Sequence, residues 1–309
     1  ANEIPTFICA LPLYHIFAFN VNLMSCMRMG GCSVLIPNPR DLPAVIKELT
    51  KHRFHIFPAV NTLFNALVNH PDFAKLNFST LRVAIGGGAP VQPSVAKKWL
   101  SITKSPLVEG YGLTECSPTV TVNPFDVQEF SGSIGLPLPS TEVSIRNADG
   151  EQVQLGEAGE LCVRGPQVML GYWRRPEETR AVMTADGYLK TGDMAVMNDG
   201  GFIKIVDRIK DMILVSGFNV YPSEVEQVVL MLSEVAEVAA IGVPCATSGE
   251  RIKIYVVKKV ETLTKEAILN HCRANLTAYK MPHQIEFLPE LPKSNVGKIL
   301  RRALRDLTI

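Results

Sequence analysis

The residues best suited to chemistry in this 309-residue chain fall in short strings set far apart. Val108-Glu-Gly-Tyr-Gly-Leu-Thr-Glu115 ends a strand-like run in glycines, places a Tyr between them and follows at once with Thr and Glu. Glycines let backbone approach a flat ring or a phosphate closely. A Thr hydroxyl can bond phosphate oxygens, and a carboxylate can hold Mg²⁺ through its oxygens. Gly86-Gly-Gly-Ala-Pro90 follows another strand-like run, Leu81–Ile85, and offers a second such place at a strand's C-terminal end. Thr191-Gly-Asp193 supplies a carboxylate able to bridge a ribose diol. Further on stand Asp207-Arg-Ile-Lys-Asp211, Ile213-Leu-Val-Ser-Gly-Phe-Asn-Val-Tyr-Pro-Ser-Glu-Val-Glu226 and Leu291-Pro-Lys-Ser-Asn-Val-Gly-Lys-Ile-Leu-Arg-Arg302. Each string by itself is weak, and the plain reading as a tight turn or a solvated basic helix would often win; their company changes the odds. Gly297-Lys298 looks like the end of a Walker-type phosphate loop, but that motif needs Gly at Pro292 and Ser or Thr at Ile299, so the match fails.

Positioning such strings takes ordered elements. Over residues 1–110, β-branched runs (Ser33–Pro37, Leu81–Ile85) alternate with helical periodicity opened by proline (Pro43–His52, Pro93–Thr103), which predicts a parallel sheet covered by helices. After about residue 130 the character changes. Turn signals at Asn147–Gly150, Ala185–Gly187 and Asn198–Gly201 separate the strand-like runs Glu142–Arg146, Gly159–Arg164 and Phe202–Val206, the pattern of a small antiparallel, barrel-like sheet. From Asp211 the alternation returns, with strands at Met212–Val215, Val235–Val243 and Ile252–Lys258 and helices at Pro222–Leu232 and Lys265–Asn275. The expected fold is therefore mixed α/β and α+β. Residues 1–209 are expected to hold the first sheets, with 131–207 as a small β subdomain, and residues 210–309 a compact α+β lobe joined near Arg208–Asp211; the resemblance given below implies that the former are part of a large domain and the latter a small mobile C-terminal one.

Composition narrows the function classes. With 47% hydrophobic residues the chain can bury a substantial core, and a net charge of +1 gives no basic footprint for nucleic acid. Cys9, Cys26, Cys32, Cys116, Cys162, Cys245 and Cys272 show no pairing or zinc spacing and read as thiols of a reducing compartment. The apolar stretch Phe7–Met27 is interrupted by Pro12, His15, Asn20 and Asn22 and reads as a buried strand and a buried helix, not a membrane span or signal peptide. Phe54, Phe57, Phe64 and Phe73 read as core before they read as an acyl tunnel, and Tyr172 and Trp173 as packing of the small sheet.

In this order, the strings resemble the adenylate-forming superfamily of acyl-CoA synthetases, luciferases and peptide-synthetase adenylation domains. Ala10-Leu-Pro-Leu-Tyr-His-Ile-Phe17, Tyr111-Gly-Leu-Thr-Glu-Cys116, Gly165-Pro-Gln-Val-Met-Leu-Gly-Tyr-Trp173 and Pro292–Arg302 are most similar to bacterial long-chain fatty-acid:CoA ligases. The resemblance covers essentially the whole chain. It implies a two-step reaction: fatty acid and ATP give acyl-AMP and pyrophosphate, then the acyl group passes to CoA. It also implies roles. Gly87, Gly88, Ala89, Tyr111 and Gly112 would line the adenine site, Thr114 would meet phosphate and Glu115 would bind Mg²⁺. Asp193 and Arg208 would hold the ribose hydroxyls, and His15 would lie near the acyl carboxylate. Lys298 would bridge carboxylate and α-phosphate, with Lys210 at a hinge and Ser216, Gly217, Phe218 and Asn219 facing a CoA channel.

Two departures accompany the likeness. Asp207 stands where many relatives have Gly, and nothing here matches the Ser/Thr/Gly-rich phosphate loop that relatives carry upstream. The expectation is a chain lacking its N-terminal segment and inactive by itself, from a cytoplasmic enzyme that contacts the inner face of the membrane peripherally or forms a homodimer. Its partners would be fatty acid, ATP and CoA. Competing readings are an acyl-AMP ligase serving a carrier protein and a non-catalytic nucleotide-binding fragment.

Overall fold

The computed structural model describes residues 3–127, 129–294 and 297–307. The chain divides into two compact units, one of Ala1–Thr191 with Val196–Ile205, the other of Gly192–Ala195 with Val206–Ile309.

In the first unit, β1 (Thr6–Cys9), β2 (Cys32–Leu35), β3 (Ile56–Ala59), β4 (Val83–Gly86) and β5 (Leu107–Gly112) run parallel, and β6 (Thr119–Val122) and β7 (Leu136–Pro137) add antiparallel. The order across this sheet is β2-β1-β3-β4-β5-β6-β7. The segment after β1 is a single turn, α1 (Ile16–Ala18), a π-helical stretch (Phe19–Ser25) and α2 (Cys26–Arg28). It departs from the buried helix expected there. Only Ala18, Asn22 and Cys26 of the helical segment are buried, the i, i+4 spacing that lies on one helix face; Phe19, Met24 and Met27 are exposed. The Asn22 side-chain amide donates to Ile8 O at 3.0 Å and so fastens the segment to β1.

Helices α3 (Leu42–Lys51), α4 (Asn61–Val68) and α5 (Pro93–Thr103) cross between the parallel strands. Asp41 caps α3 by accepting from Ala44 N–H at 3.1 Å, and proline opens both α3 and α5 where a missing N–H costs nothing. The four phenylalanines belong to the core of this layer. Phe57, Phe64 and Phe73 ring Trp99 with centroids at 5.9, 4.9 and 5.3 Å, and Phe54 stands edge-on to Phe57. Trp99 is wholly buried. Trp99→Ala is expected to cost about 3–5 kcal/mol, since transfer and cavity terms add; urea unfolding followed by circular dichroism reads this as a lowered midpoint at unchanged slope.

A small sheet of order β11-β10-β9-β8 follows, from β8 (Glu142–Arg146), β9 (Gly159–Arg164), β10 (Leu189–Met197) and β11 (Ile203–Arg208), with α6 (Pro176–Val182) between β9 and β10. β8 and β9 pair antiparallel from Glu142↔Arg164 to Arg146↔Glu160.

The second unit is built on β12 (Ile213–Val215), β13 (Phe218–Val220), β14 (Val235–Cys245), β15 (Gly249–Lys258) and β16 (Gln284–Phe287), ordered β13-β12-β15-β14 with β16 parallel to β15. β14 is buried on both faces by strict alternation. Val238 and Ala240 pack with residues of α7 (Pro222–Leu230) and α8 (Lys265–Asn275), while Ala239, Ile241 and Val243 pack with Leu291, Ile299 and Leu304. The last helix, α9 (Arg301–Asp306), thus seals the second face, and Tyr255 OH donates to Leu304 O at 3.1 Å beneath it.

Candidate active site

The predicted site residues fall into two sets, one in each unit. In the first unit, Gly87, Gly88 and Ala89 leave the C-terminal end of β4, and Tyr111 and Gly112 leave the neighbouring β5. This is where an open parallel sheet presents backbone to a ligand. Glu109, buried in β5, ties the two loops: its carboxylate accepts from Val91 N–H at 2.8 Å, and burial pushes its pKa up to about 7. Gly112 is required by space. A Cβ there would lie 2.0 Å from Pro118 O, because Leu113 N–H donates to that carbonyl and folds the chain back on itself.

Thr114–Cys116 form a single 3₁₀ turn that leaves Thr114 exposed and Glu115 half-buried. Glu115 is held twice: its carbonyl accepts from Met169 N–H at 2.7 Å, and its carboxylate accepts from Tyr172 OH at 2.9 Å. Burial and the neighbouring carboxylate both push the Tyr172 phenol up. Tyr172 therefore reaches the chemistry string, and Trp173 is exposed with the Arg174 guanidinium 5.5 Å from its ring centroid. Local pattern could not show this, since 57 residues separate Tyr172 from Glu115. His15 stands at the N-cap of α1, its Nδ1 accepting from Phe17 N–H at 3.3 Å.

In the second unit, Asp193 is buried and lies 3.4 Å from Arg208 Nε. Lys298 shares their electrostatic neighbourhood. Burial, followed by the positive charge of Arg208, lowers its pKa to about 8; Asp193 works the other way, and Lys210 and Arg301 add to the lowering. A half-buried lysine far along the chain thus lies within electrostatic reach of a buried carboxylate and an arginine. Lys210 is exposed in the 3₁₀ turn Ile209–Asp211. Ser216 and Gly217, both at positive φ (51° and 84°), make the two-residue loop between β12 and β13. Phe218 follows and stacks on Tyr279 at 4.8 Å, and Asn219 is exposed beside it.

Asp207, the departure from Gly, has a structural role here. Its carboxylate accepts from Ser223 N–H at 2.8 Å and from Arg208 N–H at 2.7 Å, capping the start of α7 whose own N-cap residue, Tyr221, makes no side-chain cap bond. Glu226 and Arg301 form a buried ion pair: burial pushes the Glu226 carboxyl up, and Arg301 opposes it.

A parallel sheet with glycine-rich strand ends is followed by an α+β unit that carries Lys298. The chain belongs to the AMP-binding enzyme family, whose model matches residues 1–173, and the model of the AMP-binding enzyme C-terminal domain matches residues 224–298. It is 60% identical over 299 residues to a long-chain-fatty-acid–CoA ligase of Yersinia pestis, covering 97% of this chain and 53% of the relative. Identity to the ligase of that name from Salmonella typhimurium is 58%, with the same coverage. The chain therefore spans about half the length of the curated relatives it matches. Among solved structures, ATP-bound MatB from Rhodopseudomonas palustris superposes with TM-score 0.90 at 30% identity, covering 98% of this chain and 60% of that one.

Proposed function

We propose that this chain is part of a long-chain fatty-acid:CoA ligase that works in two steps. First a carboxylate oxygen of the fatty acid attacks the α-phosphorus of ATP and pyrophosphate leaves. Then the CoA sulfur attacks the acyl carbonyl, the thioester forms and AMP leaves. The carrying observation is a half-buried Lys298 within electrostatic reach of the Asp193–Arg208 pair, in a chain whose relatives, at 58–60% identity, bear that name.

In the first unit, the loops at Gly87–Ala89 and Tyr111–Gly112 receive adenine, and Thr114 bonds phosphate. Mg²⁺ fits Glu115, because this ion is commonly held by one or two carboxylates plus substrate phosphates and not by an all-protein cage. When bound, the ion neutralises phosphate charge. In the second unit, Asp193 accepts from the ribose hydroxyls with Arg208 beside it. Lys298 places an ammonium at the attacking carboxylate and α-phosphate, two anions whose approach needs charge neutralisation more than a base. His15 lies toward the acyl carboxylate, Lys210 serves as hinge, and Ser216–Asn219 face CoA. The protein works in a reducing cytoplasm, consistent with seven free cysteines, and meets its insoluble acids at the inner face of the membrane, which cell fractionation tests.

Because only the ammonium form of Lys298 neutralises charge, kcat/KM for pyrophosphate release is expected to fall as pH rises through about 8, the value set by burial and neighbouring cations. Lys298→Arg should move that fall to higher pH.

The activity test follows pyrophosphate release and acyl-CoA formation by the full protein with ATP, Mg²⁺, CoA and fatty acids of graded length. Formation of both products with long-chain acids supports the ligase. Pyrophosphate without thioester would favour an acyl-AMP ligase, and no ATP consumption with any acid would leave a nucleotide-binding fragment.

A further inference from the structure

Lys298 sits on a closed loop, not on a helix. Lys293 and Ile299 bridge across it, Leu300 N–H donates to Pro292 O at 2.9 Å, and Ser294 N–H donates to Lys298 O at 2.8 Å. Helix α9 begins at Arg301, three residues after the lysine. One guanidinium nitrogen of Arg301 donates to both oxygens of Glu226, at 2.7 and 2.8 Å, and the other lies 3.7 Å from Asp211. Glu226, on α7, also accepts from Ala240 N–H of β14 at 2.8 Å. Arg305 donates to Asp211 at 3.0 Å. The loop's other limb is fastened by Lys293 to Glu237 at 2.5 Å.

The side chains of the central pair are only 14% (Glu226) and 19% (Arg301) exposed. A buried ion pair contributes little net stability, because desolvation offsets most of its attraction. What such a pair does supply is direction: hydrogen bonds from two elements to one carboxylate fix where Arg301, and so the loop before it, must lie. Charge adds a second effect. Lys298 already feels the positive charges of Arg208, Lys210 and Arg301, and the carboxylates of Glu226 and Asp211 paired with Arg301 offset part of the last.

We infer that Glu226, acting through Arg301, is a positioning residue that holds Lys298 in place and offsets the cationic charge beside it. The inference rests on the role proposed above for Lys298 in adenylation. It concerns a glutamate on a helix more than seventy residues upstream, for which no contact with substrate is invoked.

Glu226→Gln keeps the size and one acceptor oxygen but removes the charge. In the full protein, kcat for pyrophosphate release is expected to fall about tenfold or more, with KM for ATP moved less than about threefold. Thioester formation from synthetic acyl-AMP should stay within about twofold. In a Lys298→Ala background, Glu226→Gln should add almost nothing, as expected when one residue acts through another. Arg301→Lys, which keeps the charge but loses the shared donor geometry, should fall between wild type and Glu226→Gln. Equal loss in both half-reactions, or full additivity with Lys298→Ala, would overturn the inference. A readout free of turnover separates it from the activity itself: acetylation of Lys298 by acetic anhydride, followed by peptide mass spectrometry. The variant should label about threefold faster or more, because the amine is both less held and less often protonated. An unchanged labelling rate overturns the positioning role, whereas a wild type that releases no pyrophosphate overturns the proposed activity and leaves the labelling comparison to decide this one.

Discussion

Lys298→Ala is expected to slow pyrophosphate release by about 10²–10³-fold, the loss typical of removing one preorganised charge or donor from an anionic transition state. Thioester formation from preformed acyl-AMP should change by only a few-fold. The difference follows from the charges involved. In the first step proposed above a carboxylate would approach a triphosphate, both partners anionic where Lys298 would act. In the second the triphosphate would be gone and the attacking atom would be sulfur. The half-buried setting makes the amine effective for the first task, since a charge removed from water acts more strongly on a neighbouring anion. Separate assays of the two half-reactions decide the matter; equal loss in both would mean that Lys298 only holds the second unit together.

Gly112→Ala is the second substitution with a large expected effect. The new methyl would meet the Pro118 carbonyl at 2.0 Å, and a backbone atom that accepts from Leu113 N–H cannot swing aside as a side chain would. The turn carrying Thr114 and Glu115 must shift instead. A displacement near 1 Å at groups that align phosphates costs on the order of 10²-fold in rate, and the overpacking itself costs about 1–3 kcal/mol. Pyrophosphate release should fall by about that factor while the protein stays folded at 25 °C. Retention of near-wild-type release would show that the glycine answers to the fold alone.

Much of this was legible in the residues. Alternating runs marked the parallel layer and the small sheet, and several elements have the bounds that periodicity gives: Pro93–Thr103, Glu142–Arg146, Gly159–Arg164 and Lys265–Asn275. Proline at a first helical turn and Asn-Gly or Asp-Gly turns are local devices whose effect needs no distant partner. The segment after β1 was not legible in the same way. Its apolar residues suggested a buried helix, but only Ala18, Asn22 and Cys26 of the helical segment are buried, and Asn22 finds its partner on a strand.

The sequence by itself determined the order of elements, the glycine-rich strand ends and the residue types able to meet a nucleotide, because each depends on neighbours within a few positions. Tertiary structure alone decided which distant residues meet. Tyr172 on Glu115, Asp207 capping α7, and Glu226 with Arg301 behind Lys298 join positions 16 to 75 residues apart. The lowered pKa of Lys298 belongs to the same group, since burial and the charges of Arg208 and Lys210, far upstream in the chain, push it down against the opposing pull of Asp193. Hydrogen bonds and Coulomb interactions act over a few ångströms of space whatever the separation along the chain, so only the fold can say which side chains they connect.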